Sequence, residues 1–185
     1  LYESALTYLP DQQWERRYRI VEKLDPVYQG RGNFGKLIGY LETMEPATTD
    51  RVFRADLRKY RMELYRTWAQ RLVQDNRPEE AAEQLGRALT QFLSQSNWSG
   101  LPELAATRGA VLRADRLFEA QIRQIRDAEP RAADAAAARE ARLAIVATRI
   151  EWGAFRESEK DGEGALAQYS AARERLTDAD WRWRR

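Results

Sequence analysis

The sequence predicts an all-α protein of stacked antiparallel helical hairpins. Apolar residues recur at threes and fours over long stretches, as one face of a helix requires. The interruptions are short turns rich in Asn, Asp, Gly and Pro, which force neighbouring helices antiparallel. No run alternates apolar and polar residues as a half-buried strand would.

The N-terminal part, residues 1–47, is the less regular portion. A helix is predicted from Asp11 to about Leu24, ended by Asp25-Pro26, and another over Lys36 to Met44. Between them "VYQGRGNFGK" is predicted to turn, with Gly30 and Gly32 supplying positive backbone angles and Phe34 packing down as a plug. A hairpin over about 49–95 follows. Its first helix carries the stripe Phe53, Leu57, Tyr60, Leu64, Trp68 and Leu72. Asp75-Asn76-Arg77-Pro78 stops it, Asn76 taking the left-handed cap and Pro78 opening the next helix. Ala81, Leu85, Ala88, Leu89 and Phe92 form the second stripe, and Glu79 and Glu80 suit the positive end of that helix.

Pro102 is predicted to open one long helix with the stripe Leu104, Val111, Phe118, Ile122 and Ile125, broken at Glu129-Pro130. "RAADAAAARE" starts a helix running through Leu143, Val146, Ile150 and Gly153 to about Glu159. This makes hairpins of about 102–159 and 140–176. After the turn Lys160-Asp161-Gly162, a short helix carries Ala165, Leu166, Tyr169 and Leu176. A further helix is predicted to start over 177–185, where Thr177 and Asp180 have capping-box spacing.

The chain has 185 residues, 43% hydrophobic and 32% charged. It is read as one helical-repeat domain, 1–185, burying roughly 70% of its unfolded surface. No apolar run approaches the roughly 20 residues of a membrane helix. The opening at Leu1, without Met or a signal pattern, reads as a processed or excised piece, and the compartment stays open between cytoplasmic and extracytoplasmic. Net charge is +2, almost all of the positive charge being Arg. Arg suits ion-pair networks between helices, although a coding bias would give the same enrichment. With no Cys and no His, thiol nucleophiles, Cys/His zinc sites and histidine bases are excluded. The reading assigns no catalysis, no cofactor and no metal.

Two stretches match each other: "WAQRLVQDNRPEEAAEQLGRAL" from Trp68 and "WGAFRESEKDGEGALAQYSAAR" from Trp152. Each Trp precedes a small residue, Ala69 or Gly153. Ala81 and Ala165 follow at equal distance, then bulky Leu85 and Tyr169, then Ala88 and Ala172. Small residues there let two helices approach closely. The pattern resembles the tetratricopeptide repeat, with Asn76 at the turn glycine. Arg156 departs from it, standing where an aromatic is usual. In "GRGNFGKLIGYLETMEP", Gly32 fits the turn and Leu41 and Pro46 fit the second helix, while Leu37 and Met44 replace the alanines. The resemblance implies an α-solenoid whose groove binds a segment of another protein.

In the best-matching copy the groove-facing candidates are Glu63, Arg66, Gln70 and Gln74, on one face clear of the apolar stripe. Arg116 and Arg123 lie a heptad apart beside the third stripe, with Arg126 nearby. Glu63, Arg66, Gln70, Gln74, Arg116 and Arg123 are the predicted partner-binding residues. They read either as a cationic groove for an acidic segment or C-terminal carboxylate, or as a solvated, ion-paired helix face.

Three sharper motifs stand out. Gly30, Gly32, Phe34 and Gly35 match the G-x-G-x-F-G spacing of kinase phosphate loops, but neither flanking strands nor a His-Arg-Asp loop is present. The tail "DADWRWRR" interleaves Trp with Arg. It offers the alternative function, binding nucleic acid or an anionic membrane surface. Trp98, in "SQSNWSG", is either a plug over a hairpin end or a contact residue. The functional expectation is a scaffold or adaptor that binds a protein partner.

Overall fold

A computed structural model describes residues 2–10, 13–96, 98–177 and 180. The described residues are all helical, without a strand: α1 (Tyr2–Tyr8), α2 (Trp14–Gly30), α3 (Phe34–Ala47), α4 (Arg51–Gln74), α5 (Pro78–Ser94), α6 (Leu101–Gly109), α7 (Asp115–Ala128), α8 (Ala135–Ser158) and α9 (Gly162–Arg173). One 3-10 turn, Glu129–Arg131, lies between α7 and α8. The chain divides into two compact units, Leu1–Trp68 and Ala69–Arg185.

Three helices end in the same way. The N–H of Asn33 reaches the Tyr28 carbonyl at 2.8 Å and that of Gly32 reaches Gln29 at 3.0 Å. Arg77 and Asn76 do the same to Leu72 and Val73, and Asp161 and Lys160 to Arg156 and Glu157. These are Schellman caps, whose penultimate residue must be left-handed. Gly32, Asn76 and Lys160 have φ of 73°, 59° and 63°. They are the turn positions of the three stretches that match in sequence.

The first unit packs α2 on α3, with α1 against α2. Here α2 does not stop at Asp25-Pro26 but continues to Gly30. Pro26 sits on the solvent side, where the carbonyl that loses its donor meets water, while Leu24 and Tyr28 on either side are buried. Gly30 is therefore helical and Gly32 alone makes the turn. Phe34 is buried and stacks on Trp68, ring centroids 6.2 Å apart. Phe53 of α4 meets Trp14 and Tyr18 of α2. Tyr60 of α4 is half-buried. Burial, and then its hydrogen bond to Asp25, push its hydroxyl pKa well up.

The buried face of α4 differs in one respect from the predicted stripe. Leu57 and Leu64 are buried as expected, but Arg61 joins them, 1% exposed, while Tyr60 and Trp68 are half-buried. Glu45 of α3 makes this tolerable, accepting from Arg61 at 2.8 Å and from Arg58 at 2.6 Å.

In the second unit α8 is central, packing against α6, α7 and α9, while α5 packs against α6 and α7. The whole predicted α5 stripe is buried. The predicted long helix from Pro102 is instead two helices, α6 and α7, divided at 110–114. Gly109 ends α6 so close to α8 that a Cβ there would stand 2.7 Å from that of Glu151. Within the break Leu112 is buried and Val111 only half-buried. On α9, Ala165 and Ala172 face inward as expected, but Leu166 is exposed and Leu176 lies past the helix end. A residue next to Ala165 is turned about 100° around the helix, so Leu166 cannot share its face. Gly153 does what its spacing suggested: the Tyr169 ring lies against it, and a Cβ would come within 2.3 Å of Cε1. Trp98 is buried.

Candidate interaction surface

The predicted binding residues fall on two helices. On α4, Glu63, Gln70 and Gln74 are exposed and Arg66 is half-buried, opposite the buried Leu64, Ala69 and Leu72. Helical spacing alone produces that division. Arg66 donates to Glu63 across 3.4 Å, so part of this face neutralises itself. On α7, Arg116 and Arg123 are exposed, while Phe118, Gln121, Ile122 and Ile125 are buried. Exposed Glu119 and Asp127 stand one turn from Arg123 on either side. The α7 face therefore alternates in sign, and each such pair is worth only about 0.3–0.5 kcal/mol.

The more elaborate polar constructions are ones the sequence reading did not single out. Arg156, where the resemblance leads one to expect an aromatic, bridges two carboxylates at 2.6 Å each: Asp115 at the start of α7 and Asp161 in the α8–α9 turn. Asp115 also accepts from the Trp152 indole at 2.6 Å, and Trp152 stacks on Phe118. Asp161 caps α9 through the Gly164 N–H. One guanidinium thus ties three helix ends together. The available signal was an Asp at each of two helix starts, Asp161 as a cap and Asp115 in the first turn, each leaving a charge for Arg to meet.

Arg139 and Arg142 hold Asp180, at 2.8 and 3.1 Å. Asp180 also accepts from the N–H and hydroxyl of Thr177, the reciprocal bond of the predicted capping box. The remainder of the predicted tail helix, with Trp181–Arg185, lies outside the described residues. Burial alone would raise the Asp180 pKa, but Thr177 and the two arginines outweigh it and hold it down to about 2. A carboxyl depressed in the fold stabilises it above its unfolded pKa and loses that contribution as protons bind. The contribution should be complete above about pH 5, fall as the pH approaches 2 and be gone near pH 1. With the arginines partly exposed, about 1–2 kcal/mol is expected. Urea unfolding of Asp180→Asn against pH measures it: the variant should lose stability at pH 7 and show a flatter acid limb.

Burial also raises the pKa of Glu151, beside Gly109, and that of Glu140, which Glu103 raises further. Among the described residues no group of three or more acidic side chains is arranged to hold a metal ion. No described helix is long and apolar enough to cross a membrane. Comparison with known proteins finds no matching family model, no matching curated protein and no matching solved structure.

Proposed function

We propose that the chain is a non-catalytic interaction scaffold of the tetratricopeptide-like α-solenoid kind, binding an acidic segment of a protein partner along exposed helix faces. The observation that carries this reading is the packing around α8. Gly109 and Gly153 bring α6 and α9 into close contact with it, and the exposed residues of α7 point away from it. The shared caps at Gly32, Asn76 and Lys160 support a repeated hairpin plan. The 24-residue α4 and α8 make it an irregular one, since two helices share about 34 residues in a regular unit.

Arg116 and Arg123 of α7 are the anchors of this reading. A fluorescent oligo-glutamate peptide tests this by anisotropy. Binding should be salt-sensitive, and Arg116→Glu with Arg123→Glu should weaken it about tenfold. Unchanged affinity in that double variant would sink the reading. Binding to RNA or anionic vesicles that disappears on deleting Trp181–Arg185 would favour the alternative.

A further inference from the structure

Beyond α9 the described backbone N–H groups bond only to carbonyls close by in the chain: Arg175 to Ala172, Leu176 to Arg173 and Asp180 to Thr177. Among the described residues, the hydrogen bonds from this stretch to the rest of its unit run through one side chain. The Asp180 carboxylate accepts from Arg139 Nε on Oδ1 at 2.8 Å and from Arg142 Nη2 on Oδ2 at 3.1 Å. The two arginines stand one turn apart on α8. Their side chains are 42% and 30% exposed, while that of Asp180 is not exposed at all. The carboxylate is thus tucked between two arginines that still reach water. Other arginines of the unit are neutralised differently. Arg77 and Arg87 each pair with a glutamate one turn away, and Arg156 meets carboxylates at two helix starts. Arg139 and Arg142 depend instead on a carboxylate delivered from beyond the end of α9.

We propose that Arg139 and Arg142 form a receiving site for a carboxylate of an acidic segment of a protein partner, which Asp180 holds closed as an internal ligand. The chain itself demonstrates the recognition: each carboxylate oxygen takes one guanidinium through a charge-assisted bond. Exchange of Asp180 for another carboxylate replaces like with like, so it leaves no arginine unpaired. What it gives up is the Thr177 N–H and hydroxyl bonds to Asp180, at 3.0 and 2.7 Å. An internal ligand also competes at a high effective concentration, because the chain tethers it. The site is therefore closed in the parent chain and opens when the Asp180 contact is weakened. The ligand class rests on the scaffold reading, but the site shares no residue with the α7 face.

The test uses the full chain and the fluorescent oligo-glutamate peptide, read by anisotropy. Asp180→Asn removes the internal charge and keeps its shape, and should tighten binding about fivefold. Adding Arg139→Gln with Arg142→Gln should remove that gain. Adding Arg77→Gln with Arg87→Gln changes net charge equally at exposed sites and should keep it. Should Asp180→Asn not fold, Thr177→Val loses the hydroxyl bond to the same carboxylate and should give a smaller gain that the same two pairs of changes sort. The two readings separate in the Arg116→Glu, Arg123→Glu background. There the α7 contribution is gone, and the gain from Asp180→Asn should persist. A parent chain that does not bind the peptide removes the α7 reading alone, since Asp180→Asn should still bind through Arg139 and Arg142. No gain in either variant, or a gain that survives Arg139→Gln with Arg142→Gln, overturns the proposal.

Discussion

Arg61→Ala is expected to destabilise the Leu1–Trp68 unit by about 3 kcal/mol. Removing one member of a buried ion pair typically costs about 3–5 kcal/mol, because the other charge loses its counterion where water cannot replace it. Glu45 keeps Arg58 at 2.6 Å, which places the expectation at the lower end. Arg61 is also among the largest fully buried side chains, so its truncation leaves a void as well. Replacing both members by apolar residues of similar length, Glu45→Met with Arg61→Met, should cost less than the single change. The desolvation of two charges then disappears together, and Arg58, 31% exposed, returns to water. Hydrogen exchange in peptides spanning 34–47 and 51–68 reports this unit directly. A single variant that exchanges like the parent would mean that Arg61 is not buried as described.

Arg61 also shows where the sequence stops being informative. Periodicity placed the helix and most of its inward residues, because burying apolar surface is what the spacing of Leu57 and Leu64 expresses. It says nothing of Arg61, since a charge goes inward only with a partner, and Glu45 is on another helix. Pro26 failed for a related reason. A local rule ends the helix there, yet the buried Leu24 and Tyr28 on both sides of it carry the helix through. Turns were more legible: Asn76 and Gly32 have left-handed caps because few residues tolerate that backbone, so the residue itself reports the geometry. Lys160, which lacks that tolerance, takes the same conformation because the two capping bonds outweigh its strain.

The candidate surface was legible only as helix faces. Glu63, Arg66, Gln70 and Gln74 do share a face of α4, and Arg116 and Arg123 one of α7. The alternation of Arg123 with Glu119 and Asp127 was in the sequence to be read as well. What could not be read is the distribution of carboxylates around α8. Asp115, Asp161 and Asp180 come from three separate places in the chain, and only tertiary packing decides that Arg139 and Arg142 share one of them and Arg156 takes the other two. The arginines of a helix are visible in one dimension, and the carboxylates that meet them in three.

Gln121→Ala should be the most damaging single change in the second unit, also at about 3 kcal/mol. Gln121 is fully buried on the inward face of α7, where periodicity alone would put an apolar residue. Its amide donates to the Ala105 carbonyl of α6 at 2.9 Å and to the Thr148 hydroxyl of α8 at 2.8 Å. Its carbonyl accepts from Arg108 at 3.0 Å. One side chain thus links three helices and holds a guanidinium whose pKa burial lowers. Truncation leaves a cavity and strips these groups of partners, each orphaned polar group costing about 1–3 kcal/mol unless water enters. Thr148 keeps its own bond to the Ala144 carbonyl at 2.8 Å, so Thr148→Val should cost less than Gln121→Ala. Gln121→Glu separates charge from shape: it retains the volume and the acceptor for Arg108 but loses both donated bonds. Urea denaturation followed by exchange in α6–α8 peptides orders the three. Gln121→Ala should be worst, and equal stability of all three would mean the network is not closed as described.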